Sequence, residues 1–356
     1  MGEVKLTVIM PVYNVGKYIK RAVDSVVNQK FQDFEIILSN DGSTDDSATV
    51  CDALAKTDSR IKVIHKENGG VSSARNAAID IASGKYVYFM DPDDYVVGEI
   101  FEDNIKLAEK YSCSQIVFGF YNVFCDAKTD KEIRKITYKH HIHGHYSYDE
   151  FKHIYKTHRR NVNQVVWNRI YRRDFIGDTR FKQNLNTAED AIFNLDLTAK
   201  GFDSIYYNDE CYYVYLCRQN SLMNKYNPKR FDNELLINDA VNDLVRGWGM
   251  ENEFSHYLNC KYAESVLNEY GNMSMHDSHL KFREIIAIMK EHCSNKNVIT
   301  AFGALSKNDF DSIGLKILFL LTKKGMYSLG LVFKMSLTSV SIFVHKLKSI
   351  VFKNKI

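Results

Sequence analysis

Between Leu6 and Met90 the chain repeats one pattern: a short apolar run, a polar turn, then a segment whose apolar residues recur three and four apart. The runs predict strands at 6–12, 34–39, 61–65 and 86–90, and the periodic segments predict helices at 17–29, 46–56 and 71–82. Within the first helix Ala22, Val23, Val26 and Val27 share the inward face, and Asp45 or Asp46 is placed to cap the second. Strict alternation of this kind builds βαβ units, and hence an α/β domain with a mostly parallel sheet covered by helices. An open parallel sheet binds its ligands beyond the carboxyl ends of its strands. There the sequence concentrates its polar and glycine residues: Pro11, Tyr13 and Asn14 after the first strand, NDGS at 40–43 after the second, ENGG at 67–70 after the third, and DPDD at 91–94 after the fourth.

The last cluster raises an electrostatic question, because YVYFM at 86–90 reads as a buried strand running into three carboxylates. Anions so close repel one another unless a divalent cation, an arginine or a helix N-terminus lies among them. The plain alternative is an acidic turn in which Asp94 caps the following helix.

Beyond this core a helix (98–111) and a strand (115–123) continue the domain, followed by a histidine-rich, hairpin-like stretch to Tyr148. His141, His143 and His145 would share one face of a strand and offer a zinc site. No Cys or carboxylate accompanies them in sequence, and solvent-facing strand histidines need no ligand. A mixed block spans 167–221, several helices are expected over 226–310, and the expected division is 1–222, 223–311 and 312–356.

With 356 residues and 45% hydrophobic content, a catalytic domain plus an appended part is the natural size. The formal charge of +3 conceals an asymmetry: residues 312–356 hold eight lysines and no Asp or Glu, leaving about −5 for the rest. From Leu329 apolar residues recur as Leu329, Phe333, Leu337, Val340, Val344, Leu347 and Val351, with Lys334, His345 and Lys348 on another face. Such a cationic amphipathic helix can lie on an anionic membrane surface; its alternative is packing on the catalytic domain or on a second subunit. Seven scattered cysteines without a CxxC pair, and an N-terminus that enters TVIMPVY without a cleavable apolar segment, lead to the expectation of a cytoplasmic protein, peripheral on the inner face of the cell membrane. No run reaches the ~18 apolar residues of a membrane span. Pro11 and Pro92, at strand ends, suggest special backbone geometry there.

TVIMPVYN, EIILSNDGSTDDS, KENGGVSSARNAAI and YVYFMDPDDY, in this order and spacing, resemble the motifs of the inverting family 2 glycosyltransferases of the GT-A fold, of the kind that build bacterial capsular polysaccharide, exopolysaccharide or lipopolysaccharide. The resemblance covers residues 5–222. It implies a Rossmann-like GT-A domain with a C-terminal helical extension and a nucleotide-sugar, UDP-linked, lying across the strand ends. Pro11, Tyr13, Asn14 and Asp41 would hold the nucleoside, Tyr13 by packing on the base and Asp41 by accepting its hydrogen bonds. Arg75 would sit near the nucleotide or pair with Asp41 or Asp91.

The resemblance further implies that Asp93 ligates Mn²⁺ or Mg²⁺ at the diphosphate, with Asp91 in support. TAED at 187–190 resembles the family's ED motif, which makes Asp190 the catalytic base, with Glu189 as fallback. Phe193 and Leu197 would anchor its helix. Trp167 is either an acceptor-side sugar wall or a buried aromatic, and Arg218 to Ser221 would form a flap near the diphosphate. The implied acceptor is a saccharide, lipid-linked, receiving one hexose or N-acetylhexosamine; no nucleic-acid partner is expected.

Two other readings compete. A nucleotidyltransferase making nucleotide-sugars would want a basic, glycine-rich loop after the first strand, where this chain has PVYN. A non-catalytic glycan-binding protein would not need Asp91, Asp93 and Asp190 together. A processive synthase would carry QxxRW and membrane spans, which this sequence lacks.

Overall fold

The computed structural model describes residues 4–126, 131–157, 165–185, 187–218 and 225–337. The chain divides into two compact units, Met1–Gln219 and Asn220–Ile356.

The first unit holds one ten-stranded sheet: β1 (Leu6–Val12), β2 (Phe34–Asp41), β3 (Ile61–Lys66), β4 (Tyr86–Phe89), β5 (Tyr95–Val96), β6 (Gln115–Cys125), β7 (Glu132–Tyr138), β8 (Gly144–Ser147), β9 (Arg169–Arg172) and β10 (Ser204–Cys217). Its order is β3-β2-β1-β4-β9-β6-β10-β5, with β7 beside β6 and β8 beside β10. The first four strands are parallel, and β9 runs antiparallel between β4 and β6. Chain order reverses at β1, which has β2 on one side and β4 on the other, so the crevice of this sheet opens at the carboxyl ends of β1 and β4. The two strands are paired up to Ile9↔Phe89. Pro11 lies two residues further on, where their divergence leaves its missing N–H without consequence for that ladder.

Helices α1 (Gly16–Val27), α2 (Ser47–Thr57), α3 (Val71–Ile81), α4 (Ile100–Tyr111), α5 (Tyr148–Ile154), α6 (Arg173–Ile176) and α7 (Glu189–Ala199) belong to this unit. The period-two alternation of the strands divides the core between the two sheet faces. Val8, Met10, Ile36, Leu38, Tyr88 and Phe118 pack with Ile19, Val23 and Val26 of α1 and Ile100, Phe101 and Ile105 of α4. Ile9, Ile37, Val87, Phe89 and Tyr171 pack with Ala78 and Ile79 of α3 and Phe193 and Leu197 of α7. Of the two candidate caps for α2, it is Asp45 whose carboxylate accepts from the Ser47 and Gly16 amides. Gly16 opens α1 so close to Asp46 that a Cβ there would collide with its side chain.

The aromatic run YYVYL at 212–216 forms the second half of β10. The polar step Asn208-Asp209-Glu210 is absorbed as an irregularity in its pairing with β6, so the strand continues where the composition resembles a turn.

The second unit comprises α8 (Arg230–Gly247), α9 (Glu251–Met273), α10 (Phe282–His292), α11 (Lys296–Ala304) and α12 (Ile313–Lys323), followed by helical residues 327–337. Its interior is built on α9, where Phe254, Val266, Leu267 and Tyr270 are buried. The Tyr270 hydroxyl meets Thr322 of α12 at 3.1 Å. Residues 338–356, and with them most of the amphipathic pattern that begins at Leu329, lie outside the described residues.

Candidate active site

Four loops at the carboxyl edge of the sheet are tied to one another. Asn14, with φ of 53° in the left-handed region that asparagine tolerates, accepts from the Thr44 amide at 2.8 Å, and its own amide donates to the Ser43 hydroxyl at 3.1 Å. These bonds join the loops after β1 and β2 and leave the neighbouring Tyr13 ring half exposed, free to lie against a planar ligand. Asp41, at the end of β2, is 2% exposed and already engaged: the Gly69 and Gly70 amides donate to its carboxylate at 3.0 and 2.7 Å, and Lys66 Nζ lies at 2.5 Å. Lys66, Gly69 and Gly70 lie within the KENGG motif, which gave them no role of their own; the structure shows them holding Asp41. Their signal was the GG pair itself, since Gly70 has φ of 85° and turns its amide toward the acid.

Arg75 of α3 is the hub. It is 4% exposed, and its Nη1 lies 2.6 Å from Asp190 Oδ1 and 3.5 Å from Glu189 Oε1, while Nη2 lies 3.3 Å from Asp91 Oδ1. Its planar group also faces the Phe181 ring at 5.1 Å. Of the two partners expected for Arg75, Asp91 is the one observed; the Asp41 carboxylate is taken by Lys66 and the glycine amides. Asp190, on the first turn of α7, is brought here by the aromatic packing beneath that helix, where Phe193 stacks on Phe181 with centroids 4.0 Å apart and meets Phe89 edge-on at 5.8 Å. The residue before the helix, Ala188, has φ of 93°, a conformation L-residues rarely adopt, so the entry to α7 carries local strain next to the acid. The second Asp190 oxygen accepts from the Val166 amide at 3.3 Å.

Burial pushes the Asp190 carboxyl up to about 6, Glu189 adding to the rise and Arg75 opposing it. Asp91 is likewise raised to about 6, by burial first, against Arg75 and together with Asp93 and Asp190. One guanidinium, shared with a third acid, is too little to restore the ordinary values of Asp91 and Asp190.

The three acids of DPDD point in different directions. Asp91 turns to Arg75. Asp93, the most exposed at 41% of its side chain, meets Arg218 Nη1 at 2.9 Å through Oδ2. Asp94 is 1% exposed and accepts from the Tyr213 hydroxyl at 2.6 Å and the Leu216 amide at 2.8 Å. The alternative in which Asp94 caps the next helix is not what the structure shows: α4 begins at Ile100 after Glu99, and Asp94 instead pins β10 to the loop after β4. Burial, with Asp93 and Asp91 nearby, raises its carboxyl well above the usual range. Replacing it by Ala leaves a buried amide and hydroxyl without an acceptor and is expected to destabilise the unit by about 2–4 kcal/mol. Asp94→Asn, which keeps an oxygen to accept from the Leu216 amide and places its amide group beside a Tyr213 hydroxyl able to rotate and accept, is expected to change stability by about 1 kcal/mol or less, as read by denaturant titration.

Trp167 is 8% exposed, stacked on Tyr213 at 4.4 Å and met edge-on by Phe120 at 4.8 Å, so of its two readings the buried aromatic describes it. The histidine stretch is also corrected, because 139–143 lies between β7 and β8 rather than on a strand. His145 stacks on Tyr111 and His143 lies 3.6 Å from Asp209, and among the described residues no three His, Cys, Asp or Glu side chains converge as metal ligands, His141, His143 and His145 included. Arg218 directly follows β10; the rest of the flap expected over 218–221 lies outside the described residues. Arg21 of α1, which no motif indicated, donates to the Asp93 carbonyl at 2.7 Å.

Residues 7–180 match the description Glycosyl transferase family 2. The glycosyltransferase EpsJ of Bacillus subtilis is 34% identical over 61% of this chain and 62% of its own length. GlyA, a glycosyltransferase of Streptococcus pneumoniae, is 31% identical over 63% of this chain and 32% of its own. The chain thus spans less than two thirds of either relative. The crystal structure of S. aureus TarS 1–349 in complex with UDP-GlcNAc superposes with a TM-score of 0.63 at 18% identity, covering 94% of this chain and 92% of that one, a likeness of fold. The motif-bearing strand ends, the sheet order and these similarities agree: residues 7–180, within the first unit, are a family 2 glycosyltransferase domain with a GT-A fold.

Proposed function

We propose that this chain transfers a single hexose or N-acetylhexosamine, with inversion, from a UDP-linked donor to a lipid-linked saccharide in surface polysaccharide biosynthesis. The observation that carries the reading is the Arg75 bridge, which joins Asp190 through Nη1 and Asp91 of the DPDD loop through Nη2 at the carboxyl ends of β1 and β4. Inverting transfer needs a base facing the anomeric carbon from the side away from the leaving group. Asp190 is suited to it, because a carboxyl raised to about 6 is still ionised near neutrality and is a stronger base than an ordinary aspartate. Tyr13 packs on the base of the nucleotide, Pro11 and Asn14 shape the loop beneath it, and Asp41 holds the Gly69–Gly70 turn against the nucleoside. The UDP-GlcNAc seen in the TarS crystal supports a UDP-linked donor.

The residues fit a divalent cation. Asp93 projects an exposed carboxylate whose Oδ2 already has a cationic partner, and Asp91 lies two residues away. Among the described residues no three such ligands converge, which suits Mn²⁺ or Mg²⁺, ions usually held by one or two carboxylates plus substrate phosphates. When bound, the cation supplies charge neutralisation for the departing diphosphate. Incubating the protein with Mn²⁺ and a panel of nucleotide-sugars is expected to release UDP from one of them. Release of pyrophosphate instead would identify a nucleotidyltransferase, and binding without turnover a glycan-binding protein.

No helix among the described residues is long and apolar enough to cross a membrane. The reading places the enzyme peripherally on the inner face of the cell membrane through 312–356. Leu329, Val332 and Met335, three apart, are each about half exposed, and Ile313 is 76% exposed, in a stretch whose only charges are lysines. Of the apolar positions that the sequence pattern marked, Leu329 and Leu337 are exposed and Phe333 is half-buried, while Gly330 and Leu331 face inward, Gly330 against Tyr270. Sedimentation with phosphatidylglycerol vesicles is expected to carry the protein down at low salt, phosphatidylcholine vesicles not, and Val332→Glu with Met335→Glu is expected to reduce the bound fraction at least about fivefold. Equal binding by that variant would remove the stripe from the interface.

A further inference from the structure

Arg218 occupies the place where Asp93 would receive its cation. Its Nη1 lies 2.9 Å from Asp93 Oδ2, its Nη2 donates to the Asp93 carbonyl at 3.0 Å, and its guanidinium lies over the Tyr18 ring at 4.1 Å from the centroid. Its side chain is 17% exposed, while the carboxylate it holds is 41% exposed. The Asp93 carbonyl is independently held by Arg21 at 2.7 Å, so the loop backbone stays in place whether or not the Arg218 contact to the carboxylate persists. A guanidinium on Oδ2 satisfies that oxygen and repels a second cation brought to it. Guanidinium is also the side-chain group best matched to phosphate oxygens, which it binds in the same forked manner as a carboxylate.

We propose that Arg218 is a built-in counter-cation that shares Asp93 with the divalent ion, leaving it for the diphosphate, so that metal and nucleoside diphosphate bind as a mutually dependent pair. The inference rests on the reading of Asp93 as the metal ligand and deepens it. Without nucleotide, the metal meets at Asp93 a carboxylate already paired through Oδ2, and a guanidinium moved aside has no phosphate to receive it. With nucleotide present, the diphosphate receives the guanidinium and completes the metal's oxygen shell. By linkage the metal raises nucleotide affinity by the factor by which nucleotide raises metal affinity.

The test is Mn²⁺ binding by electron paramagnetic resonance, on the full chain, with and without saturating UDP and corrected for Mn²⁺ held by UDP in solution. Wild-type protein is expected to bind Mn²⁺ at least ~10-fold tighter with UDP than without. Arg218→Gln is expected to bind Mn²⁺ alone about 3–10-fold tighter than wild type, with the UDP enhancement reduced accordingly; Arg218→Lys falls between. Thermal melting confirms that the variants are folded. If Arg218→Gln and Arg218→Lys both leave Mn²⁺ affinity and its UDP enhancement unchanged while Asp93→Asn abolishes binding, the proposal is wrong and the metal reading stands. If Asp93→Asn leaves Mn²⁺ binding intact, or wild type binds none in either condition, both fall.

Discussion

Asp190→Asn is expected to lower kcat by about 10³-fold while leaving the affinity for UDP within about threefold. Asparagine keeps the shape of the side chain and an oxygen to accept from Arg75 Nη1, now at 2.6 Å from Asp190 Oδ1, but it cannot take a proton from an acceptor hydroxyl. Glu189→Gln serves as the comparison. Glu189 lies farther from the same guanidinium, at 3.5 Å, and its loss is expected to reduce kcat by about fivefold or less. A large loss in the Glu189 variant with a small one in Asp190→Asn would transfer the base role to Glu189. Near-normal turnover in both would place the base elsewhere. Initial rates at saturating donor, together with calorimetric titration of UDP, separate a chemical defect from a binding one.

The first four strands could be read closely from sequence because each is an uninterrupted apolar run between polar turns: β1 is Leu6–Val12 as expected, and β2 and β3 extend only one or two residues further than expected. The helices between them were equally legible, since helical periodicity is set locally. What could not be read was anything fixed by partners far along the chain. DPDD announces three anions, yet Asp91 is placed by Arg75, Asp93 by Arg218 and Asp94 by Tyr213, the last two about 120 residues away in sequence. Pairing between such distant groups leaves no periodic trace, so the separate duties of three adjacent acids emerge only in the folded chain. The same holds for β9, four residues long and antiparallel, which inserts between β4 and β6 and separates the two parallel parts of the sheet. Trp167 shows the converse limit, because an aromatic suited to stacking on sugar and one suited to stacking on Tyr213 are the same residue type.

Arg75→Met should have the widest effect of any single change, abolishing measurable transfer and lowering the stability of the metal-free protein by about 3 kcal/mol at pH 8. Methionine matches the volume of the buried part of arginine but leaves Asp91, Glu189 and Asp190 facing one another without the cation they share. The pH dependence of the deficit identifies its cause. Asp91 and Asp190, ordinarily near 3.8, are raised to about 6 in the folded chain even with Arg75 present. A raised carboxyl binds its proton more tightly folded than unfolded, so folding is favoured below the ordinary value and that advantage is lost as pH rises toward 6. Removing Arg75 raises both further, because it is the group opposing the rise. The stability deficit is therefore expected to be largest at pH 8 and to shrink at pH 5, where the acids of the variant are protonated and no longer repel. Urea titrations in EDTA at the two pH values measure it. A deficit equal at both would mean that the loss comes from packing against Phe181 rather than from charge. Arg75→Lys, which keeps one positive charge but cannot fork to Asp190 and Asp91 together, is expected to recover part of the stability and little of the turnover, because the guanidinium's second task is to hold Asp190 in register with the DPDD loop.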